Sequence, residues 1–446
     1  MASAAEQLAA NLNFGAFNKA TELKKRLWFT LGALIIYRLG TYIPLPGIDP
    51  VILQDIFRQQ AGGILGMFNM FAGGALGRMT IFALNIMPYI SAAIIMQLMT
   101  SISPSMNQLK KEGATGQKKI NQYTRYLTVL IATMQAYGIA VGIEGMQGSL
   151  GSAVVTPGAF FRFTAVITLV GGTMFLMWLG EQITARGVGN GISLIIFAGI
   201  VAELPSALAG TLELGRTGAL SSGIIIAILI MAIGVIYAIV FVERAQRRLV
   251  VQYPKRQQGN KMYGGESSHL PLKINTSGVI PLIFASSLLL MPTTVISLMA
   301  SSGPEWLTTV SSLLGRGQPS YLLIYSALIA FFAFFYTAVV FNPEETADNL
   351  KKHGGFIPGI RPGKNTAEYL EYVTTRLTVV GASYLVLVAL LPEILISQWS
   401  VPFFFGGTSL LIVVTVTMDT VAQVQSHMLA HQYEGLIKKS RLKGRR

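Results

Sequence analysis

Ten apolar runs, nearly free of charge, constrain this chain more than any other feature. They are Leu27–Ile43, Thr80–Met99, Tyr126–Ile143, Phe160–Leu179, Ile192–Leu208, Leu220–Val242, Ile274–Met291, Tyr321–Phe341, Leu377–Leu391 and Pro402–Ala422. About 20 helical residues cross a hydrocarbon core roughly 30 Å thick, so these runs predict ten transmembrane helices. The first contains Arg38 and the fifth is short. Charged residues make up 12% of the chain and hydrophobic ones 52%. Soluble domains carry about 25% charge, so the class is an all-α polytopic membrane protein. The sequence has no cysteine, which excludes a disulfide framework and cysteine-based metal or nucleophile chemistry. Met1–Asn18 is polar and Ala-rich without an apolar core, so no cleavable signal is expected there.

Basic residues set the orientation. Of 34 Lys and Arg, 28 fall in the N-terminal arm, the tail and alternate connections, against five in the opposite connections (Arg58, Arg78, Arg162, Arg216 and Arg316). The positive-inside bias places both termini in the cytoplasm. A net charge of +14 suits anionic phospholipid, nucleic acid or acidic protein as partners. Ten spans with both ends inside divide at the outer turn around Pro205–Gly218, and an odd number per half inverts the second half relative to the first. The expected organisation is an arm at 1–26, a first half at 27–208 and a hinge loop at 209–219. A second half at 220–422 and a basic tail at 423–446 complete it. No residue-level repeat supports the split, which rests on parity and spacing.

The stretch Gly62–Ile102 is the least regular. Ile64–Leu76 is apolar but only 13 residues long, roughly 20 Å as a helix, too short to span. Glycines at 62, 63, 66, 73, 74 and 77 each cost about 1 kcal/mol in a helix interior. Among them sit Ile64, Leu65, Met67, Phe68, Asn69, Met70, Phe71 and Leu76, bulky and soft apart from the asparagine. The reading is a short, weakly held re-entrant plug leading into a full-length span, Thr80–Met99, kinked at Pro88.

Few residues offer chemistry. Placed on the ten runs, no carboxylate falls near a midplane; Glu181, Glu243 and Asp419 lie near helix ends. His427 and His431 share a helical face but lack a third ligand, so a solvated helix end is expected and no metal site. Arg186-Gly-Val-Gly-Asn-Gly191 resembles a phosphate loop only superficially: no Gly-Lys-Ser/Thr follows, and a tight hairpin using positive φ explains the glycines. No nucleophile–base pair or paired carboxylate suggests an intramembrane enzyme. No cofactor is expected. A conduit is left, whose constriction must be apolar. Ile86 with Ile90, and Ile192 with Ile196, share helical faces, although such pairs are more often packing or lipid-facing residues. A dewetted apolar collar resists ions without binding them. A secondary transporter is equally compatible with ten inverted spans, and a midplane ion site would distinguish it.

Two basic cytoplasmic loops, Glu243–Lys273 and Asn342–Arg376, exceed 30 residues each. Arg247, Arg248, Lys255, Arg256 and Arg361 sit among turn signals there, suggesting a docking surface for a large acidic or RNA-containing partner over a merely solvated loop.

A family resemblance sharpens this. Ile43-Pro-Leu-Pro-Gly-Ile48, Met67-Phe-Asn-Met-Phe-Ala-Gly-Gly74 and Ile86-Met-Pro-Tyr-Ile-Ser91 resemble the SecY family, channel subunits of the bacterial general secretion translocon. So do Gly180-Glu-Gln-Ile-Thr184 with Gly189-Asn-Gly191, Val242-Glu-Arg-Ala-Gln-Arg-Arg248, Phe341-Asn-Pro-Glu-Glu-Thr-Ala-Asp348 and Phe405-Gly-Gly-Thr-Ser409. The resemblance spans essentially the whole chain. It implies ten helices in two inverted halves around a central hourglass pore. The pore ring would fall on Ile86, Ile90, Ile192, Ile196, Ile283 and Ile412, and the plug on Ile64–Leu76. A lateral gate between spans two and three and spans seven and eight would carry Ser91, Gln135 and Asn275. It further implies a passive channel in the bacterial inner membrane that passes unfolded secretory chains and releases membrane segments sideways. SecE and SecG would be small membrane partners. The SecA ATPase and the ribosome would dock on the long loops, with Arg361 in Gly359-Ile-Arg-Pro-Gly363 as the most telling base. The loop tip Gly259-Asn-Lys261 is less basic than the family pattern, which shifts that role toward Lys255 and Arg256.

Overall fold

The computed structural model describes residues 21–59, 69, 72–145, 147–148, 151–217, 221–253, 256–258, 261–263, 267–299, 309, 313, 318–399 and 407–443. Each of the ten apolar runs overlaps one helix. In chain order the helices are α1 (Thr21–Gly40), the amphipathic α2 (Pro50–Gln59), α3 (Met87–Ile102), the short α4 (Pro104–Lys111), α5 (Ala114–Glu144) and α6 (Ala159–Arg186). Then come α7 (Gly191–Arg216), α8 (Ser222–Arg244), α9 (Ile280–Met299), α10 (Pro319–Val340), α11 (Pro343–Lys352), α12 (Lys364–Trp399) and α13 (Gly407–Lys443). Among the described residues, seven helices (α5, α6, α7, α8, α10, α12 and α13) are long and apolar enough to cross a membrane.

The second run is not one kinked helix. Thr80–Ile86 is a chain of turns, with Met79 and Asn85 at φ of 43° and 49°, and α3 begins only at Met87. Pro88 therefore lies in the first turn of α3, where a missing N–H costs nothing, and it starts the helix instead of bending it. At 16 residues α3 is about 24 Å long, short of a full crossing. Irregular backbone at membrane depth is tolerated only where protein covers it. Phe82–Met87 is accordingly buried throughout. Its backbone is satisfied locally and by the 43–45 strand-like segment: Ile81 N–H donates to the Ile43 carbonyl (3.1 Å), and Leu45 N–H to that of Met79 (2.9 Å).

The chain forms two compact units: Met1–Ala209 with Met291–Ser311 and Ile412–Arg446, and Gly210–Leu290 with Ser312–Leu411. The expected hinge loop at 209–219 is helical as far as Arg216, because α7 runs through Pro205. Glu213 and Arg216, polar enough to end an apolar run, pair at 2.7 Å on the continuing helix.

In the first unit α3 packs along α5, α5 along α6, and α1 along α6. Tyr37, Phe82 and Phe175 stack in sequence, with centroids 6.3 and 5.8 Å apart, tying α1 and α6 to the irregular segment. The α6–α7 hairpin at 187–190 uses its glycines as expected. Gly189 has φ of +90°, and a Cβ on Gly191 would overlap the Gly180 carbonyl. Asn190 Oδ1 caps α7 by accepting from Ile192 N–H (3.1 Å).

In the second unit α10 packs along α12, and α11 on α12. The two long loops, expected to offer a docking surface, are folded onto each other. Strands β3 (Gln246–Gln252) and β6 (Ser267–Lys273) pair antiparallel from Gln246↔Lys273 to Gln252↔Ser267; the smaller β4 (Arg256–Gln258) and β5 (Lys261–Tyr263) pair between them. (Numbering follows two short outer strands, β1 at Gln147–Gly148 and β2 at Gly151–Ser152.) Leu249 and Leu272 from the hairpin share one apolar core with Ala347, Ile357, Ala367, Leu370 and Val373 from the other loop. A bridge between Gln252 and Phe356, with N–H···O distances of 2.9 and 3.0 Å, fastens the edge. Asn342 caps α11 by accepting from the Glu344 and Glu345 amides (3.2 and 3.4 Å).

Candidate functional site

The plug residues Ile64, Leu65, Met67, Phe68, Met70 and Phe71 lie outside the described residues. Asn69 and Leu76 lie within them, and residues 72–77 are not weakly held. Residues 72–77 are buried. Asn69 accepts from Gly77 N–H through Oδ1 (2.6 Å) and from Gly74 N–H through its carbonyl (2.8 Å), closing a compact turn. Gly73 and Gly74 have φ of +62° and +79°, and a Cβ on Gly73 would stand 2.9 Å from Gly199 Cα of α7. These two glycines serve conformation and close approach, not looseness.

Two arginines converge on the same turn. Arg38 of α1 donates from Nη1 to the Gly73 carbonyl (2.9 Å). Arg78 donates from Nη2 to that carbonyl (3.0 Å) and from Nε to the Gly74 carbonyl (3.1 Å). Both guanidiniums lie over the Tyr42 ring, 5.4 and 4.2 Å from its centroid. The Glu203 carboxylate lies against Gly74 Cα beside the Arg78 guanidinium. Glu203 is halfway along α7. Glu203 also lies within the apolar run Ile192–Leu208, close to its middle, so the expectation that no carboxylate falls near a midplane does not hold. The signal available in the sequence was a pair of opposite lone charges inside apolar runs, Arg38 in the first and Glu203 in the fifth.

Of the six candidate collar positions, Ile86, Ile90, Ile196 and Ile412 are buried. Ile192 and Ile283 are half-buried. All but Ile283 belong to the first unit. Ile86 is the N-cap residue of α3 and Ile90 sits one turn on, joined by the Ile90 N–H to Ile86 carbonyl bond (3.1 Å). Ile192 and Ile196 stand one turn apart at the start of α7.

The candidate gate residues differ in their surroundings. Ser91 on α3 is buried. Gln135 on α5 is buried too, and its Oε1 finds no hydrogen-bond partner among the described residues. A buried acceptor left without a partner costs about 1–3 kcal/mol. Asn275 is fully engaged: Nδ2 donates to Glu243 Oε1 (2.6 Å) and to the Gly278 carbonyl (3.1 Å), and Oδ1 accepts from Ser277 Oγ (3.0 Å). It fixes the end of α8 to the start of α9.

Among the candidate docking bases, Arg247 and Arg248 are neighbours on β3 and therefore project to opposite faces. Arg247 shares the face of the buried Leu249 and Val251 and lines a cavity of about 390 Å³ with Tyr369, Tyr372 and Arg376. Arg248 shares the solvent face with the exposed Val250. Arg361 is exposed on a turn defined by Gly359 and Gly363, at φ of +81° and +108°, and its carbonyl accepts from Thr366 Oγ1 (3.0 Å). The Arg256 side chain and Lys255 lie outside the described residues.

Residues 80–421 match the SecY family model. The protein translocase subunit SecY of Escherichia coli (strain K12) is 57% identical over 424 residues, 95% of this chain and 96% of that one. The Vibrio cholerae protein translocase subunit SecY is 56% identical over 428 residues, 95% and 96% of the two chains. Among solved structures, one described as a protein conducting channel superposes with a TM-score of 0.67 at 17% identity, over 91% of this chain and 92% of that one. A structure concerning the plug domain of SecY, said there to stabilise the closed state of the channel, gives 0.61 at 18%, over 91% and 92%. Sec61 in a canine ribosome–channel complex gives 0.63 at 17%, again over 91% and 92%. These likenesses establish the all-α polytopic channel fold.

Proposed function

The chain belongs to the SecY family and is a protein-conducting channel subunit of a translocon, and from that premise we propose how its residues conduct. It passes unfolded secretory polypeptides across the bacterial inner membrane and releases apolar segments sideways into lipid. The observation that carries this is 57% identity to a protein translocase subunit along 95% of the chain. The collar is Ile86, Ile90, Ile192, Ile196, Ile283 and Ile412. Branched apolar side chains there exclude water and ions yet offer no binding site, so the passing sequence is not selected. The plug is Ile64–Leu76, rooted at the turn that Asn69 and Gly77 close. Ser91, Gln135 and Asn275 mark the seam that a signal sequence opens, and the unsatisfied Gln135 oxygen supports a contact poised to rearrange.

The chain supplies no driving force of its own. A cytosolic ATPase of the SecA type and the ribosome dock on the folded pair of cytoplasmic loops, where Arg248 and Arg361 are exposed. Arg247, on the core face, acts by shaping that surface, and Lys255 and Arg256 extend it. SecE and SecG cover lipid-facing helices, anionic phospholipid neutralises the basic cytoplasmic face, and both termini lie in the cytoplasm. The test is reconstitution of the full chain with its small membrane partners in proteoliposomes, with the ATPase, ATP and a secretory precursor. Precursor should become protease-protected only when ATP is present. Precursor that stays fully protease-sensitive with an active ATPase refutes the reading.

A further inference from the structure

We propose that Arg38 and Arg78 are positioning residues for the plug: they clamp the Gly73 and Gly74 carbonyls and so latch the C-terminal turn of the plug in its resting place. The inference rests on the assignment of Ile64–Leu76 as plug. Three separate elements meet at this point. Arg38 reaches from α1 to the Gly73 carbonyl, and Arg78 forks across the Gly73 and Gly74 carbonyls at once. Gly199 of α7 backs Gly73 so closely that no side chain fits between them. Two cations sharing one carbonyl repel each other unless counterbalanced. The face of Tyr42 under both guanidiniums and the Glu203 carboxylate beside Arg78 provide that balance.

Every bond in the clamp is made to plug backbone. Its strength is therefore independent of which side chains the plug carries, and it can break and re-form without disturbing plug packing. Charge-assisted bonds to carbonyls are stronger than neutral ones, and more so away from water. Residues 72–77, which the clamp holds, are buried, and the turn is closed behind it by Asn69.

The test measures resting ion flux through the full chain, assembled with its small membrane partners in proteoliposomes, for Arg38→Ala, Arg78→Ala, Arg78→Lys and Glu203→Gln. Loss of one charge-assisted bond shifts a two-state equilibrium by roughly tenfold or more, so each arginine variant should raise resting flux by about that factor. Arg78→Lys should leak like Arg78→Ala, because one ammonium cannot span two carbonyls as the guanidinium fork does. In a chain already lacking residues 64–71, none of these substitutions should add further flux. Thermal unfolding in detergent separates a latch from general damage: Arg78→Lys and Glu203→Gln keep the side-chain volume and carry the test where an alanine variant does not fold. Wild-type flux in Arg38→Ala and Arg78→Ala, alongside raised flux on deletion of residues 64–76, overturns the clamp and leaves the plug standing. Full rescue by Arg78→Lys, or added flux on the deletion background, overturns it as well. Unchanged flux on deletion of residues 64–76 removes the plug itself, and the clamp with it.

Discussion

Truncating Leu370 to alanine tests whether the two long cytoplasmic loops are one folded surface. Leu370 is fully buried where α12 meets the β3–β6 hairpin and α11, sharing a core with Leu249, Leu272, Ala347 and Ile357. A Leu→Ala change at such a site costs about 3 kcal/mol, part lost transfer energy and part the cavity left behind. At about 1.4 kcal/mol per decade, that is roughly a hundredfold in the opening equilibrium of this small unit. The assay is hydrogen exchange by mass spectrometry on the detergent-solubilised chain. Peptides covering Gln246–Gln252 and Ser267–Lys273, paired throughout, should exchange about a hundredfold faster if they open as a unit with α11. Peptides from α5 and α6 belong to the other unit and should not change. Unaltered protection in β3 and β6 would refute the shared core, and with it the argument that one rigid platform presents Arg248 and Arg361.

Other outcomes follow from the same geometry. Arg248→Glu, on the solvent face of β3, should cut ATPase-driven translocation at least several-fold while leaving hairpin exchange unchanged; faster exchange would assign Arg248 a folding role instead. Gly191→Ala forces a methyl onto the Gly180 carbonyl and should cost about 1–3 kcal/mol, read as a lower melting temperature. Gly171→Ala meets open space inside α6 and should be neutral or stabilising by up to about 1 kcal/mol, the opposite sign. Deleting residues 64–76 should raise resting ion leak in planar bilayers, and an unchanged leak refutes the plug.

Each of the ten apolar runs overlaps a helix, seven of them long and apolar enough to cross a membrane among the described residues, and hydropathy misread the places where backbone departs from that pattern. Thr80–Ile86 is as apolar as the helix that follows it, so nothing in composition reveals that positive φ at Met79 and Asn85 keeps it in turns. Glu213 and Arg216 ended the fifth run too early, although they pair on a continuing helix. Gly73 and Gly74 were visible, but their purpose depends on Gly199, more than a hundred residues away, so no local reading could supply it. The core between the loops escaped notice for a similar reason. Leu249 with Val251, and Leu270 with Leu272, are short alternations that carry little weight until they pair across a hairpin. The family motifs carried the candidate collar and gate positions, which periodicity alone could not have separated from packing residues.

The most direct measurement uses the absence of native cysteine. One cysteine placed at Ile86 and one in the middle of a secretory chain stalled during translocation leave a single possible pair. Oxidation should yield a disulfide between Ile86→Cys and the stalled chain, and none when the cysteine is placed instead at the exposed Ile230 of α8. A stalled chain that never cross-links at position 86, yet does so at position 230, would contradict a pore through the isoleucine collar.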